Sequence, residues 1–311
     1  MANTKDIQRR IKSIANTKKI TRAMEMVAAA KMRKAVDAAL ATRTYANLSW
    51  ETLLNVTRGT ANATHPLLEV RKHTKKQAII VITSNRGLCG GFNSSLVSLV
   101  RASIAVSGIA TEIILVGKKG ETLANTNTVA AQFAYPETKL DATIVLPIIS
   151  FASSGFLEGN YDRVFVAYTD FVNAVKQVAK IRQLLPIQAH TQDNALGIID
   201  AGDKVGSSEK FIEEKATQHT HREKFNFEYL FEPEPNKVLE AVVPRLLEIQ
   251  LYQAILESMA SEHSARMAAM HQATEAANDL GVELSLSYNK ARQSAITAEI
   301  AEITAGVAAL E

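Results

Sequence analysis

The first 58 residues contain neither glycine nor proline. Nothing in that stretch interrupts a helix, and its many alanines favour one. A helix is predicted from about residue 3 to about residue 55, with residues 1–58 as the first structural segment. At a rise of 1.5 Å per residue, ~50 residues make a rod of about 75 Å. Propensity alone does not stabilise such length, so the helix needs a packing partner along its face. The other end of the chain supplies one. Across 236–311, Leu239, Val243, Leu246, Leu247, Leu251, Ile255 and Met259 recur at helical spacing. Asn236 is the expected N-cap after Glu232-Pro233-Glu234-Pro235. Pro244 should kink or restart the first turns, and Gly281 is the other weak point. Two very long helices at opposite ends of one chain imply an antiparallel coiled coil, with everything between them inserted as a separate α/β domain.

The insert spans about 75–232. Gln77-Ala78-Ile79-Ile80-Val81-Ile82-Thr83 reads as a buried strand, followed by a glycine-rich loop from Ser84 to Asn93 and a helix from Ser94 to Ala105. Residues 112–117 and 163–168 read as two more strands. A Val/Lys-alternating stretch runs on to Pro186, and Phe225 to Phe231 reads as an edge strand. Strands alternating with helices point to a mostly parallel, Rossmann-like sheet. Residues 189–224 are polar and glycine-containing, and read as an exposed insertion. Aromatics make up only 6% of the chain, which argues against one large globular core filling it. A single cysteine, Cys89, excludes an intramolecular disulfide framework. No apolar run reaches the ~18 residues of a membrane span. The N-terminus lacks an apolar stretch behind its basic residues, so it reads as mature structure rather than a secretory signal.

On the first helix, Ile7, Ile11 and Ile14 form one stripe. Ile20, Met24 and Val27 form another, followed by Val36 and Leu40, and the Thr17-Lys18-Lys19 break reads as a stutter. The first 34 residues carry ten basic side chains, among them Arg9, Arg10, Lys18, Lys19, Lys31 and Arg33, against only Asp6 and Glu25. That cluster fits a solvated face, a nucleic-acid site or a surface meeting acidic protein loops. The first aromatic is Tyr45, so the stacking expected of a nucleic-acid module is absent and an acidic protein partner fits better. At the other end, 295–311 holds only Glu299, Glu302 and Glu311 as ionisable side chains. There Ile296, Ile300, Ile303, Val307 and Leu310 recur at heptad spacing among alanines, a surface that needs a partner helix or a sleeve of other subunits.

Sites for chemistry are weak throughout. Ser84 to Asn93 links strand to helix, where backbone N–H groups can cradle phosphate, but it has neither GxxxxGK[ST] nor GxGxxG. It reads as a tight structural turn, as does Gly117-Lys118-Lys119-Gly120. Cys89 sits at a helix entrance with no histidine paired to it by any motif. His219 and His221 are two candidate ligands in a loop, short of a metal set. Three functional classes stay open on these grounds: a non-catalytic shaft, a nucleotide-binding α/β enzyme with a coiled-coil arm, and a nucleic-acid-binding coiled coil.

Longer motifs narrow them. Lys5-Asp6-Ile7, with the unbroken run from Asn16-Thr17-Lys18-Lys19-Ile20-Thr21-Arg22-Ala23-Met24-Glu25-Met26 to Arg33, closely resembles the N-terminal helix of the gamma subunit of F-type ATP synthases. Tyr288-Asn289-Lys290-Ala291-Arg292-Gln293-Ser294-Ala295-Ile296-Thr297, then Glu299-Ile300 and Glu302-Ile303, resembles that family's C-terminal signature. Arg86-Gly87-Leu88-Cys89-Gly90-Gly91, Gln183-Leu184-Leu185-Pro186 and Tyr229-Leu230-Phe231-Glu232-Pro233 are similar to family stretches in the same order.

The resemblance implies a rotor shaft without a catalytic, cofactor or metal site of its own. ATP, ADP and Mg would bind the alpha and beta subunits, three of each. The α/β domain would lie near the epsilon subunit and the c-ring, with membrane contact only through that ring. No nucleic acid is involved. The location would be peripheral, on the cytoplasmic face of the bacterial plasma membrane. By match to family positions, Met24 faces the moving beta loops, and Arg292, Gln293, Thr297 and Glu302 engage the head. Ile296, Ile300, Ile303, Val307 and Leu310 would form the terminal bearing. Some photosynthetic relatives carry a redox-sensitive cysteine pair in an insertion; 189–224 here contains no cysteine.

Overall fold

The computed structural model describes residues 4–59, 65–71, 73–136, 142–187, 232 and 234–308. The edge strand expected at 225–231 and the insertion at 189–224 lie outside these residues. Helix α1 covers Thr4–Gly59, ending at the first glycine of the chain rather than near residue 55. Strand β1 (Lys76–Ile82), helix α2 (Phe92–Ser107), β2 (Ala110–Val116), β3 (Thr128–Phe133), helix α3 (Leu146–Leu157), β4 (Arg163–Phe171) and β5 (Gln177–Leu185) follow. The final helix, α4, covers Pro235–Ala308. The chain divides into two units, residues 1–29 with 266–311 and residues 30–265.

The larger unit holds a five-stranded sheet in the order β3-β2-β1-β4-β5. β1, β2, β3 and β4 run parallel, and β5 pairs antiparallel with β4. The mostly parallel, Rossmann-like reading is therefore borne out. Two elements were missed: β3, and helix α3. The Val/Lys-alternating stretch is β5, an antiparallel edge. The central strand shows why the sheet is buried on both sides. Ile79 and Val81 pack with Leu96, Val97 and Val100 of α2 on one face. Ile80 and Ile82 face the other, where Ile148 and Phe156 of α3 meet Leu239, Val243, Leu247 and Leu251 of α4. Burying a side chain such as Phe156 contributes roughly 2–3 kcal/mol. Just after β2, Gly117 adopts a φ of +93°, and a Cβ there would collide with the carbonyl of Thr83, the residue after β1. Only glycine permits that approach.

Near the N-terminal ends of β1 and β4 a polar hub ties the layers. Arg71 donates to the carbonyls of Phe156 and Tyr161 and to Asp162 Oδ1 at 3.0 Å, and its guanidinium lies 4.8 Å over the Phe156 ring. Asp162 Oδ2 accepts the backbone N–H groups of Lys75 (2.7 Å) and Lys76 (3.0 Å). These donors hold the Asp162 carboxyl below its ordinary value, the Lys76 and Lys75 N–H groups first and Arg71 after them.

In α4 the predicted apolar stripe is fully buried, from Leu239 to Met259. Two expectations about its start need correction. Asn236 is not the N-cap: the helix begins at Pro235, whose fixed φ and missing N–H suit a first turn. Pro244 does not restart the helix, which is assigned continuously through it and through Gly281. Pro244 cannot donate to the carbonyl of residue 240. Glu240 is exposed, so water can serve that carbonyl instead.

The smaller unit is an antiparallel helical pair. Thr274 Oγ1 donates to Thr21 Oγ1 at 2.8 Å, Lys18 Nζ donates to Asn278 Oδ1 at 2.7 Å, and His271 Nδ1 meets Glu25 Oε1 at 3.2 Å. Gly281 lies against Ile14, whose Cγ2 is 3.9 Å from a Cβ built on that glycine. The same register sets Ile7 opposite Tyr288, leaving residues beyond about 290 without a counterpart in α1.

The expected second stripe and stutter of α1 are overturned. Ile20 is 60% exposed, Val27 56% and Leu40 40%, and Val36 is only partly buried. Among the buried or half-buried positions, Ile7, Ile14, Thr21, Ala28 and Ala35 recur at an unbroken spacing of seven. Ile11, Glu25, Met32 and Ala39 follow the same spacing four residues on. The heptad never breaks; at Lys18 and Thr21 it is merely occupied by polar side chains. The α4 side answers with Met270, Ala277, Leu284 and Ala291. Small and polar residues occupy this seam because close helix approach leaves little room, and a buried hydroxyl is tolerated when it finds a partner.

Candidate functional site

Near its end α4 leaves a run of aliphatic side chains uncovered. Ile296 is 43% exposed, Ile300 59% and Ile303 68%. The side chain of Val307 and the placement of Leu310 lie outside the described residues. At 100° per residue these isoleucines share one stripe, about 60° wide. Three exposed β-branched side chains in a row form an apolar stripe on the helix surface.

The polar residues singled out nearby do not form one patch. Gln293 and Thr297 share a face with Lys290, Ser294, Ala298 and Ala301, where they line a shallow groove of about 440 Å³. Thr297 Oγ1 donates back to the Gln293 carbonyl at 2.9 Å. Arg292 lies about 100° around the helix from Gln293, beside the isoleucine stripe, and Glu302 lies on a third side. All four are exposed. The helix therefore presents a different chemistry in each direction: aliphatic, small and hydroxylated, or charged.

On α1, Arg9, Arg10, Lys18, Lys19, Lys31 and Arg33 are all exposed, whereas Met24 is half-buried. Arg9 approaches Asp6 at 3.8 Å. Lys18, Lys19 and Arg22 line one wall of an open groove of about 1010 Å³, with His271, Glu275 and Asp279 opposite. The cross-helix partners Thr274, Asn278 and His271 were not picked out from sequence. Their signal was the heptad itself, obscured by the exposed isoleucines and valines.

The candidate sites for chemistry resolve as structure. Ser84 donates its N–H to Asn93 Oδ1 (3.1 Å) and its hydroxyl to the Arg86 carbonyl (2.8 Å), while Asn93 Nδ2 donates back to Ser84 Oγ (2.8 Å) and to Cys89 Sγ (3.2 Å). Asn85 Nδ2 also donates to the Tyr135 carbonyl at 3.2 Å and the Ser84 carbonyl accepts the Lys119 N–H at 3.0 Å, so the loop's polar groups brace the fold, and Cys89 is buried in it. Leu88 takes a φ of +62° to close the turn. Lys76 Nζ reaches Glu112 at 2.6 Å and Tyr161 donates its hydroxyl to the same carboxylate at 2.7 Å. These bonds hold Glu112 below its ordinary pKa, and burial together with Glu112 pushes Tyr161 up. A tyrosine locked in this way braces β2 rather than moving protons. Among the described residues no group of three or more His, Cys, Asp or Glu side chains forms a metal site, and no helix is long and apolar enough to cross a membrane. His219 and His221 lie outside the described residues.

Known proteins share this arrangement over its whole length. The family described as ATP synthase matches residues 3–310. The ATP synthase gamma chain of Roseiflexus castenholzii is 39% identical, covering 100% of this chain and 99% of its own. That of Chlorobium phaeobacteroides is 35% identical with the same coverage. Among solved structures, the central stalk and c-ring of the Tetrahymena thermophila mitochondrial ATP synthase contains a chain of 25% identity. It superposes with a TM-score of 0.56 over 82% of this chain and 99% of that one. A chain of the Euglena gracilis mitochondrial ATP synthase, at 19% identity, gives a TM-score of 0.64 over 99% of this chain and 94% of that one, and bears on the fold alone. An unbroken heptad pair, a Rossmann-like insert and identity to gamma chains over the full length agree: this chain belongs to the ATP synthase gamma-chain family, the non-catalytic central-stalk subunit of the rotary complex.

Proposed function

We propose that the end of α4 turns inside a ring of three alpha and three beta subunits. The α/β unit stands outside the ring, against an epsilon subunit and a c-ring. Full-length identity to gamma chains carries this reading. The exposed end of α4 supports it, because a helix that passes successive subunits benefits from faces of unlike chemistry and few charges. Unlike faces let one angular position be distinguished from the next, and sparse charge avoids ion pairs that would hold one position. Met24, Arg292, Gln293, Thr297 and Glu302 are the proposed head contacts. Ile296, Ile300, Ile303, Val307 and Leu310 are the proposed bearing. Arg9, Arg10, Lys18, Lys19, Lys31 and Arg33 face acidic loops of the beta subunits. ATP, ADP and Mg bind the alpha and beta subunits, and this chain needs no cofactor. Its place is peripheral, on the cytoplasmic face of a bacterial plasma membrane, held there through the c-ring.

Affinity purification through a tag on beta tests this reading. The chain is expected at one copy per three alpha and three beta chains. Purified chain that binds ATP tightly on its own, as seen by calorimetry, would instead favour a nucleotide-binding enzyme.

A further inference from the structure

α4 carries a polar stripe where a core helix ordinarily carries none. Gln250, Gln253, Glu257, Ser261 and Ser264 recur at spacings of three, four, four and three, within an arc of about 80°. All five are buried, with Gln253, Ser261 and Ser264 at 0% exposure. The stripe belongs entirely to the larger unit and meets its antiparallel edge. Ser261 Oγ donates to the Thr169 carbonyl of β4 at 3.1 Å. Ser264 Oγ donates to the Ala174 carbonyl in the β4–β5 turn at 2.6 Å and accepts from Gln177 Nε2 of β5 at 3.1 Å. Gln253 Nε2 donates to Glu257 Oε1 at 3.0 Å and to the Ala39 carbonyl of α1 at 3.3 Å.

The facing sheet is polar at the same place. Val164, Val166 and Tyr168 alternate toward the core that α4 shares, while Phe165, Ala167, Ala179 and Ile181 point to the α2 side. Register therefore puts Lys180 and Arg182, the partners of Tyr168 and Val166, on the α4 side. Lys180 pairs with Asp170 at 2.6 Å, and Tyr168 feels both Glu257 and Arg182. α4 thus keeps an aliphatic face on the core from Leu239 to Ala260, and from Gln253 to Ser264 a row of directed bonds runs beside it.

We propose that this seam is a torque coupling: it fixes the register of α4 on the β4–β5 edge, so that turning force on the α/β unit enters α4 without slip. The proposal rests on the rotor reading. Aliphatic packing is non-directional, and a shift of one helical turn exchanges one leucine for another at modest cost. A shifted polar seam leaves hydrogen-bonding groups unpaired in a dry interior. Buried polar contacts are less favourable for stability than an apolar core of the same shape, and their recognised use is to select one register. Each bond removed raises the population of slipped registers about fivefold.

The test uses the complete membrane complex in inverted vesicles, comparing the wild-type chain with the double variant Ser261→Ala, Ser264→Ala. ATP-driven proton pumping is measured against an opposing gradient and divided by ATP hydrolysis. Hydrolysis by the head stripped from the membrane, where no load passes through the α/β unit, is the reference. The double variant is expected to lower protons pumped per ATP about twofold or more under load, with stripped-head hydrolysis unchanged. Should it fail to assemble, Gln177→Ala at a partly exposed strand position carries the same comparison. Unchanged pumping per ATP overturns the proposal. A parallel fall in pumping and stripped-head hydrolysis marks a merely structural role and also overturns it. A wild-type complex that hydrolyses ATP without pumping overturns the rotor reading instead.

Discussion

Asp162→Asn removes one charge from the hub that joins β1, β4 and α3 while preserving its shape. In the native hub Oδ2 accepts two backbone N–H groups and Oδ1 accepts Arg71. An asparagine keeps one acceptor oxygen for the Lys75 and Lys76 N–H groups and turns its amide N–H2 toward the guanidinium, donor against donor. The two backbone bonds drop from charge-assisted to neutral strength, a loss of roughly 0.5–1 kcal/mol each, and the Arg71 bond is lost outright. The Asp162 side chain is 14% exposed and Arg71 29%, so solvent compensates part of this. The expected cost is about 2–3 kcal/mol, or about 4–12 °C in melting temperature for a unit of this size. The sign with pH follows from the depressed carboxyl. Its stabilisation is complete above the unfolded value near 3.8 and is lost as pH falls through the lower folded value. Wild type and variant should therefore differ fully at pH 7 and begin to converge below about pH 4. Thermal melts of the full chain, with hydrogen exchange at the β1 and β4 amides, read the effect. A difference under about 1 °C at pH 7, or one that persists undiminished at pH 3, refutes the reasoning.

Other expectations concern packing, the seam and the charged face. Gly155→Ala places a Cβ 2.5 Å from the Tyr161 ring, which its bond to Glu112 holds in place. Denaturant titration should show a loss of about 1–3 kcal/mol, and a neutral result would mean the ring moves freely. Thr21→Val and Thr274→Val should each destabilise the helical pair by about 1 kcal/mol, with the double variant close to wild type; additive losses in a double-mutant cycle would deny the buried hydroxyl pair. Reversing Arg9, Arg10, Lys18 and Lys19 together should impair coupling in the assembled complex more than it lowers the melting temperature of the chain. A sharp fall in melting with coupling intact would sink that assignment.

Long-range architecture was readable because it depends on few residue types. Absence of glycine and proline over the first 58 residues is enough to set α1, and seven buried aliphatic positions from Leu239 to Met259 set the face of α4. β1 and β2 announce themselves as unbroken aliphatic runs. β3 does not: Thr-Val-Ala-Ala-Gln-Phe lies on an outer strand and only partly buries its side chains, so no strong pattern is needed there. α3 opens on Leu-Pro-Ile-Ile-Ser-Phe, a short apolar run that shows no helical period of its own, and its proline sits in the first turn. Hydrophobicity also misled. Ile20 and Val27 suggested a seam that Thr21 and Ala28 occupy, because close helix approach selects for size before polarity. The polar stripe from Gln250 to Ser264 escaped for the same reason: a buried serine is indistinguishable from an exposed one until its acceptor carbonyl is known. Periodicity grouped Ile296, Ile300 and Ile303 as one stripe, and all three are exposed. Family resemblance grouped Arg292, Gln293, Thr297 and Glu302, which helix geometry distributes around the axis.

The central claim is that this chain turns within the head. Val106 in α2 is 88% exposed and offers an attachment point on the α/β unit. With Cys89→Ser and Val106→Cys, a probe can be fixed to that single thiol while the head is held to a surface through its beta subunits. On addition of ATP, single-molecule imaging should show the probe turning continuously in one direction and stopping when ATP is withdrawn. A complex that hydrolyses ATP at the normal rate while the probe stays still, or rocks without net direction, would contradict the account.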